Sequence, residues 1–402
     1  MSKISELSNG GALLATDDLI VVRSGGNVRA QLSSISGQSV SATTLAASGA
    51  TTLSSTLAVT GATTLSSTLA VTGDYSSTTA GTSNLRLGVN AGNSIASGGN
   101  YNVVVGDEAG TALTLGDESV AVGFEALMTV TSGSENVGVG YRALKLTTGN
   151  SNVAVGKNAL ATNSSASNNT AVGTSALSAN TTGDRNVAVG ALALDANTVG
   201  TRNVALGYGS LTADTKGSRS IAIGDAALQT QNFTTATEVY NVAVGYAAGA
   251  AVTTGVENTF IGGNSGDALT DGDKNVAVGA AALGSDTRGN FSTAIGYGVL
   301  NSQNTTNDTD MYNTGVGYLA GVAVTTGIQN TLIGALAGDA LNDADQNVAI
   351  GYAALTADTL GSRSVAIGRS ALETQNFTTA TYAYNIAIGF DAGAKITTGT
   401  NN

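Results

Sequence analysis

Acidic residues in turns are the first candidates for chemistry in this sequence. Asp271-Gly272-Asp273 and Asp343-Ala344-Asp345 stand at equivalent positions 72 residues apart. Paired carboxylates on a turn can hold Ca²⁺ through oxygen ligands, but aspartate is also common in turns because it bonds nearby backbone. The calcium-binding nonapeptide Gly-Gly-x-Gly-x-Asp does not occur in the chain. We therefore expect turn-forming aspartates and predict no metal site.

The composition removes most other kinds of chemistry. The 402 residues include no histidine, cysteine, tryptophan or proline, so imidazole bases, thiol nucleophiles and the usual zinc ligands are missing. Acidic residues are scattered, whereas a polysaccharide-cleaving enzyme needs a carboxylate pair in a cleft. The net charge of −12 opposes binding to phosphate backbones. We expect no catalytic residues, no cofactor and no nucleic-acid partner.

A short repeated phrase dominates the chain. Asn/Ser-x-Ala-Val/Ile-Gly-x-x-Ala-Leu/Gly occurs eighteen times between Asn84 and Asn402, usually seventeen residues apart, and Asn152–Gly156 is a clean copy. The spacing lengthens to 21 before Gly245, Gly317 and Gly389. A fixed period of this kind predicts stacked coils. We expect an all-β parallel β-roll, or β-solenoid, of about eighteen coils over residues 84–402, with the longer coils bulging outward.

Each copy alternates branched and small residues, which indicates a strand. In Asn152–Gly156, Val153 and Val155 face one way, and Asn152 and Ala154 face the other. We expect the valines, with Leu160, to line the interior, and the asparagines to form an amide ladder between layers. The remaining stripe of Ala and Asn suggests close approach by another chain. That interpretation predicts a homotrimer, and a monomeric solenoid with one smooth side is the alternative.

The chain changes character before the roll. The segment from Gly49 to Thr60 is repeated without change from Gly61 to Thr72, and its β-branched residues favour extended structure. We interpret residues 39–83 as a thin trimeric shaft, with a flexible linker as the alternative. Residues 1–38 contain a short apolar strand, Leu19 to Val22, that is too small to fold alone and that we expect to dock on another protein.

Aromatic residues follow the repeat glycine in eight of the eighteen copies. In stacked coils they form a broken ladder, which serves either glycan stacking or packing between layers. Phe233 and Phe377 are further aromatic residues in the longer coils. Our candidates for contact with a host surface are Tyr208, Tyr246, Tyr297, Tyr318, Tyr352, Phe233 and Phe377.

Two families resemble this sequence. The phrase Asn-x-Ala-Val/Ile-Gly-x-x-Ala resembles the head repeats of trimeric autotransporter adhesins, which implies a left-handed β-roll in three copies. The longer form from Asn313 to Asn330 resembles repeats of bacteriophage tail-fibre proteins. Lys3–Leu7, Asp17–Val22, Gly25–Arg29 and Leu32–Ile35 resemble the virion-attachment segment of phage fibres. That resemblance implies attachment through Ile4, Leu7, Leu19, Ile20, Val21, Val22 and Arg29.

The lack of a recognisable targeting signal favours the phage family over the autotransporter adhesins. The N-terminus lacks an apolar core typical of a secretory signal, and no apolar stretch approaches the ~20 residues of a membrane span. We expect a virion fibre protein, assembled in the host cytoplasm, that binds other virion proteins and a host-surface glycan. We also expect the natural product to continue past Asn402. The alternatives are a purely architectural fibre with receptor binding elsewhere, or a bacterial trimeric surface adhesin.

Overall fold

The computed structural model describes residues 81–402, which form a parallel β-solenoid. Eighteen strands of three residues build one parallel sheet, and three pairs of two-residue strands flank it. No helix occurs among residues 81–402, and so none there could cross a bilayer. The main strands are β1 (Leu85–Leu87), β2 (Val103–Val105), β3 (Val120–Val122), β4 (Val137–Val139), β5 (Val153–Val155), β6 (Thr170–Val172), β7 (Val187–Val189), β8 (Val204–Leu206), β10 (Ile221–Ile223), β12 (Val242–Val244), β13 (Thr259–Ile261), β14 (Val276–Val278), β16 (Thr293–Ile295), β18 (Thr314–Val316), β19 (Thr331–Ile333), β20 (Val348–Ile350), β22 (Val365–Ile367) and β24 (Ile386–Ile388).

The register between coils does not shift along the roll. Val153, Ala154 and Val155 pair with Thr170, Ala171 and Val172, and every other pair of neighbouring main strands follows the same rule. At about 4.8 Å per strand, the eighteen layers make a rod on the order of 80 Å long. The predicted stack of about eighteen coils is confirmed.

The side chains of the main strands point the opposite way from the expectation. Ala154 and Asn152 are 0% exposed, whereas Val155 is 36% exposed and Val153 is half-buried. The coil is narrow, and Ala159 with Leu160 fills it from the opposite wall. Only a small side chain fits between the two walls. The prediction that valines line the interior and that the alanine stripe meets another chain is therefore wrong.

The exceptions to the alanine rule show how the core keeps its volume. Phe260 replaces the strand alanine and is 0% exposed. Glycines stand where other coils carry the interior leucine, and a Cβ added to Gly266 or Gly249 would lie 2.4 or 2.7 Å from the Phe260 ring. Leu332 is enclosed in the same way by Gly321 and Gly338. A larger residue on one wall thus requires a glycine on the other.

The predicted asparagine ladder is confirmed. The Asn152 Oδ1 accepts the backbone N–H of Asn169 at 3.1 Å, and Asn169 Oδ1 accepts that of Asn186 at 2.8 Å. The Asn186 Nδ2 donates to the Gly200 carbonyl of the following turn at 2.8 Å. Each asparagine is fully buried, so these bonds satisfy groups that would be costly to leave unpaired. The ladder ties strand, turn and next layer together.

The corner glycine after each strand permits the close stacking. Gly156 has a φ of 136°, and a Cβ added there would lie 2.5 Å from the Gly173 carbonyl oxygen of the next coil. Other corners use left-handed residues with side chains, such as Asn158 (φ 56°) and Leu160 (φ 50°). Their backbone N–H groups bond adjacent coils, Asn158 to Tyr141 O at 2.9 Å and Leu160 to Ala176 O at 3.1 Å. Bonds between layers thus hold this strained backbone.

The three longer coils bulge outward, as predicted. Residues 234–236 are exposed, and the following two residues form a short strand that pairs with the preceding coil. The short pairs are β9 (Gly217–Ser218) with β11 (Thr237–Glu238), β15 (Gly289–Asn290) with β17 (Thr309–Asp310), and β21 (Gly361–Ser362) with β23 (Thr381–Tyr382). The expected shaft, apart from residues 81–83, lies outside the described residues. The attachment segment 1–38 does so too, with Ile4, Leu7, Leu19, Ile20, Val21, Val22 and Arg29.

Candidate functional site

The outward side of the main sheet is the largest candidate interaction surface. We call it the Val/Ile face and define it as the first and third residues of the eighteen main strands. All of them are Val, Ile, Leu or Thr, and in the described strands none is charged. Leu206 is 42% and Ile261 41% exposed. A continuous β-branched surface of this kind is typical of a face that another surface covers.

The size of the face matches that of a protein interface. Three residues span about 10 Å, and eighteen layers span on the order of 80 Å, which gives about 800 Å² per chain. One partner in a stable protein–protein complex buries about the same area. Charges and prolines, which protect free sheet surfaces and edges in many proteins, are absent from the first and third positions of these strands. The face has the extent and the chemistry of an interface.

One border of the Val/Ile face carries the post-glycine ladder, the residues that directly follow the repeat glycines. Phe124 stacks on Tyr141 with ring centroids 5.5 Å apart, and Tyr297 stacks on Tyr318 at 5.8 Å. Arg369 lies between the rings of two neighbouring layers, and its guanidinium carbon is 5.9 Å from the centre of the Tyr352 ring and 5.5 Å from that of Phe390. The predicted contact residues Tyr208, Tyr246, Tyr297, Tyr318 and Tyr352 are 52–63% exposed.

Phe233 and Phe377 do not belong to this exposed set. They are only 7% and 6% exposed. A Cβ added to Gly361 would lie 2.7 Å from Phe377 Cδ2, so this ring packs on the strand backbone. Their assignment as host-surface contacts is withdrawn.

A buried polar network recurs every 72 residues and was not anticipated from the sequence. At its centre lie the carboxylates Asp214, Asp286 and Asp358, each 0% exposed. Asp286 Oδ1 accepts the Gly289 N–H at 3.0 Å, and Asp286 Oδ2 accepts a bond from Gln303 Nε2. Gln303 also donates to Ser292 Oγ at 2.9 Å and accepts from Asn313 Nδ2 at 2.9 Å.

The network has a sequence signal. Ser220, Ser292 and Ser364 replace the ladder asparagine, and a glutamine follows each of them eleven residues later. The glutamine side chain fills the space that the shorter serine leaves. Burial raises the pKa values of Asp214 and Asp286, although the Gln side chain and backbone N–H groups oppose the shift. Since each carboxylate is enclosed, the network stabilises the long coils and offers no site for a ligand.

The paired turn aspartates bond neighbouring coils. Asp273 Oδ1 accepts the Val256 N–H at 2.8 Å, and Asp345 Oδ1 accepts the Ile328 N–H at 2.8 Å. Both acceptors therefore bond the preceding layer, not their own turn. Within residues 81–402 no group of three or more metal-ligating side chains is close enough to hold an ion.

The other border of the Val/Ile face carries the residues that directly precede the buried asparagine or serine at the start of each main strand. Arg219, Tyr240, Phe291, Arg363 and Tyr384 are among them, and sequence reasoning did not single them out. A comparison of the chain with protein-family models and with curated proteins finds no match. The function is therefore argued from these surfaces themselves.

Proposed function

We propose that this protein is a structural fibre protein whose rods associate in threes through the Val/Ile face and project a surface for host adhesion. The observation that carries the proposal is the uncharged outward sheet of eighteen parallel strands. Left in water, about 800 Å² of β-branched side chains is unfavourable. Covering it stabilises the assembly.

A second copy of the same chain is the partner that fits this face best. Its strands repeat at the same spacing of about 4.8 Å, so branched side chains of one rod can pack between layers of another over the whole length. Parallel copies about a common axis also keep all their N-termini at one end. That arrangement suits a fibre that is anchored by residues 1–38.

The assignment to a bacteriophage virion rests on resemblance. The N-terminal segments and the longer repeat form resemble those of phage fibres, and the rod supplies the length that such a fibre needs. Several fibres with three chains each would combine weak contacts into avidity. The alternatives are a purely architectural fibre and a bacterial trimeric surface adhesin. Binding of the purified chain to whole host cells would favour adhesion, and its absence would favour the architectural role.

The self-association is tested by placing charge on the Val/Ile face. In the double variant Val155→Lys/Val189→Lys, two lysines would have to be buried against a partner, which costs far more than exposing them. We expect the wild-type chain to sediment as three copies of 39.4 kDa and the variant to sediment as a monomer with an unchanged β-sheet spectrum.

Ser165→Lys is the matched control. Ser165 is exposed on a turn away from the Val/Ile face, so this variant should remain a trimer. A monomeric wild-type protein would disprove the proposed assembly. A double variant that still sediments as a trimer would show that the chains meet elsewhere.

A further inference from the structure

We propose that three equivalent side-chain clusters, one at each long coil, bind a neutral polysaccharide that lies along the rod. The inference rests on the proposed host-contact role and names its ligand class. Each cluster, called a ring cluster here, joins at least one exposed tyrosine ring to a basic side chain. The first is Arg219, Glu238 and Tyr240; the second is Lys274, Phe291 and Tyr312; the third is Arg363, Tyr382 and Tyr384.

The first and third clusters are held rigid by their own contacts. Arg219 Nη1 donates to the Tyr240 hydroxyl at 2.6 Å, and its Nη2 pairs with Glu238 at 2.9 Å. In the third cluster Arg363 Nη1 donates to the Tyr384 hydroxyl at 2.6 Å. The guanidinium of Arg363 lies 3.9 Å from the centre of the Tyr382 ring. Such pre-arranged rings lose little side-chain freedom when a ligand binds.

The second cluster reaches the same form with different residues. Phe291 and Tyr312 stack with centroids 5.2 Å apart and planes only 10° from parallel. Lys274 lies 5.3 Å from the Phe291 ring centre, and the Tyr312 hydroxyl donates to Asp310 at 3.1 Å. Thus a basic group, a ring and a hydrogen-bonding hydroxyl recur at each long coil.

The tyrosine rings of the clusters remain open to solvent. Tyr240, Tyr312, Tyr382 and Tyr384 are 43%, 50%, 59% and 46% exposed. Tyr240 precedes the Val/Ile face by two residues, with the buried Asn241 between. No residue of the ring clusters belongs to the Val/Ile face as defined above, and the clusters border it.

The chemistry of the clusters fits a sugar ring. A pyranose presents an apolar C–H face and an edge of hydroxyls, which match an aromatic ring bordered by donors and acceptors. A globular protein partner would need an interface that buries on the order of 1,000 Å² in total, and each cluster is only a few side chains wide. Nucleic acid also stacks, but the net charge of −12 and the acidic Glu238, Asp308 and Asp310 disfavour phosphates.

The spacing of the clusters fits a linear polymer. The shared tyrosines Tyr240, Tyr312 and Tyr384 lie 72 positions apart, which corresponds to four strands or about 19 Å along the rod. Since the register does not shift from layer to layer, the three clusters present the same side to a ligand. A repeating chain can therefore occupy all three at once, and weak single contacts gain avidity.

Affinity electrophoresis of the full chain tests the proposal. Native gels would contain dextran, mannan, galactan or hydroxyethylcellulose as neutral polymers, or polygalacturonate as a charged one. We expect at least one neutral polymer to retard the wild-type protein. Loss of one cluster should lower the affinity by about 10-fold or more, because avidity of linked sites exceeds the single-site affinity by a large factor. Tyr240→Ala/Tyr312→Ala/Tyr384→Ala should abolish retardation.

The triple variant Phe124→Ala/Tyr141→Ala/Phe390→Ala is the control, because it removes as many exposed rings from the post-glycine ladder. It should bind as the wild type does. Retardation by no neutral polymer, retardation by polygalacturonate alone, or an equal loss in the control would each overturn the proposal. Sedimentation of the same samples keeps the two proposals separate: a monomeric wild type that still binds polymer would refute the trimer and leave the ring clusters standing.

Discussion

The buried polar network around Asp286 tolerates few substitutions at its individual residues. In the second long coil every donor and acceptor of Asp286 and Gln303 has a partner of the opposite kind. Each buried bond contributes only about 1 kcal/mol net, but an unmatched buried group costs about 1–3 kcal/mol. The direction of each hydrogen bond therefore matters more than the number of bonds.

For Asp286→Asn we expect a loss of about 1–3 kcal/mol in the free energy of unfolding. The new amide would face Gln303 Nε2, and turning the Gln303 amide would move the conflict to Asn313. The double variant Asp286→Asn/Gln303→Glu reverses donor and acceptor and should regain much of the loss. Urea unfolding monitored by circular dichroism measures all three proteins. Equal stability of single and double variants would contradict the assignment.

Asp286 also makes the free energy of unfolding depend on pH in a defined direction. Because burial raises the pKa of Asp286, the folded chain takes up this proton at a higher pH than the unfolded chain. Acidification through that window, down to the ordinary aspartate value, favours the fold through this group. The difference in thermal midpoint between wild type and Asp286→Asn should therefore widen as the pH falls from about 7 to about 4. If the difference in thermal midpoint narrows on acidification, the pKa of Asp286 is not raised in the folded chain.

At the scale of the coil, complementary residue sizes on the two walls govern packing. Strand alanines such as Ala154 oppose leucines such as Leu160, whereas Phe260 opposes Gly249 and Gly266. Protein interiors are packed so closely that a change on one wall must be compensated on the other.

An exchange between the walls tests this relation. Phe260→Ala alone should cost about 3–5 kcal/mol because it leaves a cavity. Gly266→Leu alone should also destabilise, because its Cβ would lie 2.4 Å from the Phe260 ring. Together the two substitutions recreate the Ala/Leu arrangement of the other coils and should recover at least half of the loss. Thermal unfolding of the two single variants and the double variant tests this relation. If the double variant loses as much stability as the two single variants together, complementary sizes on the two walls do not govern packing.

The strands, the period, the bulges and the asparagine ladder could be predicted from the sequence because each has a local pattern. The orientation of the strands could not, since alternation separates two faces without stating which is inside. Val155 was predicted to lie in the core, but the interior of so narrow a coil has room only for a small side chain such as that of Ala154. The pairing of Phe260 with Gly249 and Gly266 was the signal for the true orientation. The ring clusters were missed because the basic residue of each cluster lies one coil before the rings that it contacts, so that they meet only across layers.

At the scale of the whole molecule, each coil bonds only its neighbours, so the number of coils can change without altering the fold of each coil. Gly245 and Gly317 hold equivalent positions 72 residues apart. Removal of residues 246–317 joins matching segments and takes out four layers with the second ring cluster.

The shortened chain should keep its thermal midpoint within a few degrees and lose about 19 Å of length by small-angle X-ray scattering. Deletion of residues 246–253 is the control, because it breaks the register and should unfold the coils around it. A large loss of stability in the 72-residue deletion would show that coils far apart depend on one another.

The asparagine ladder has a consequence for chemical ageing. Deamidation begins when the backbone nitrogen of the following residue attacks the side-chain carbonyl and closes a succinimide ring. In the roll that nitrogen is already committed: Val153 N–H, which follows Asn152, donates to Asn169 O at 2.8 Å, and Asn152 Oδ1 is held by the next layer. The asparagines of the ladder should therefore escape the slow spontaneous damage that limits the lifetime of exposed asparagines.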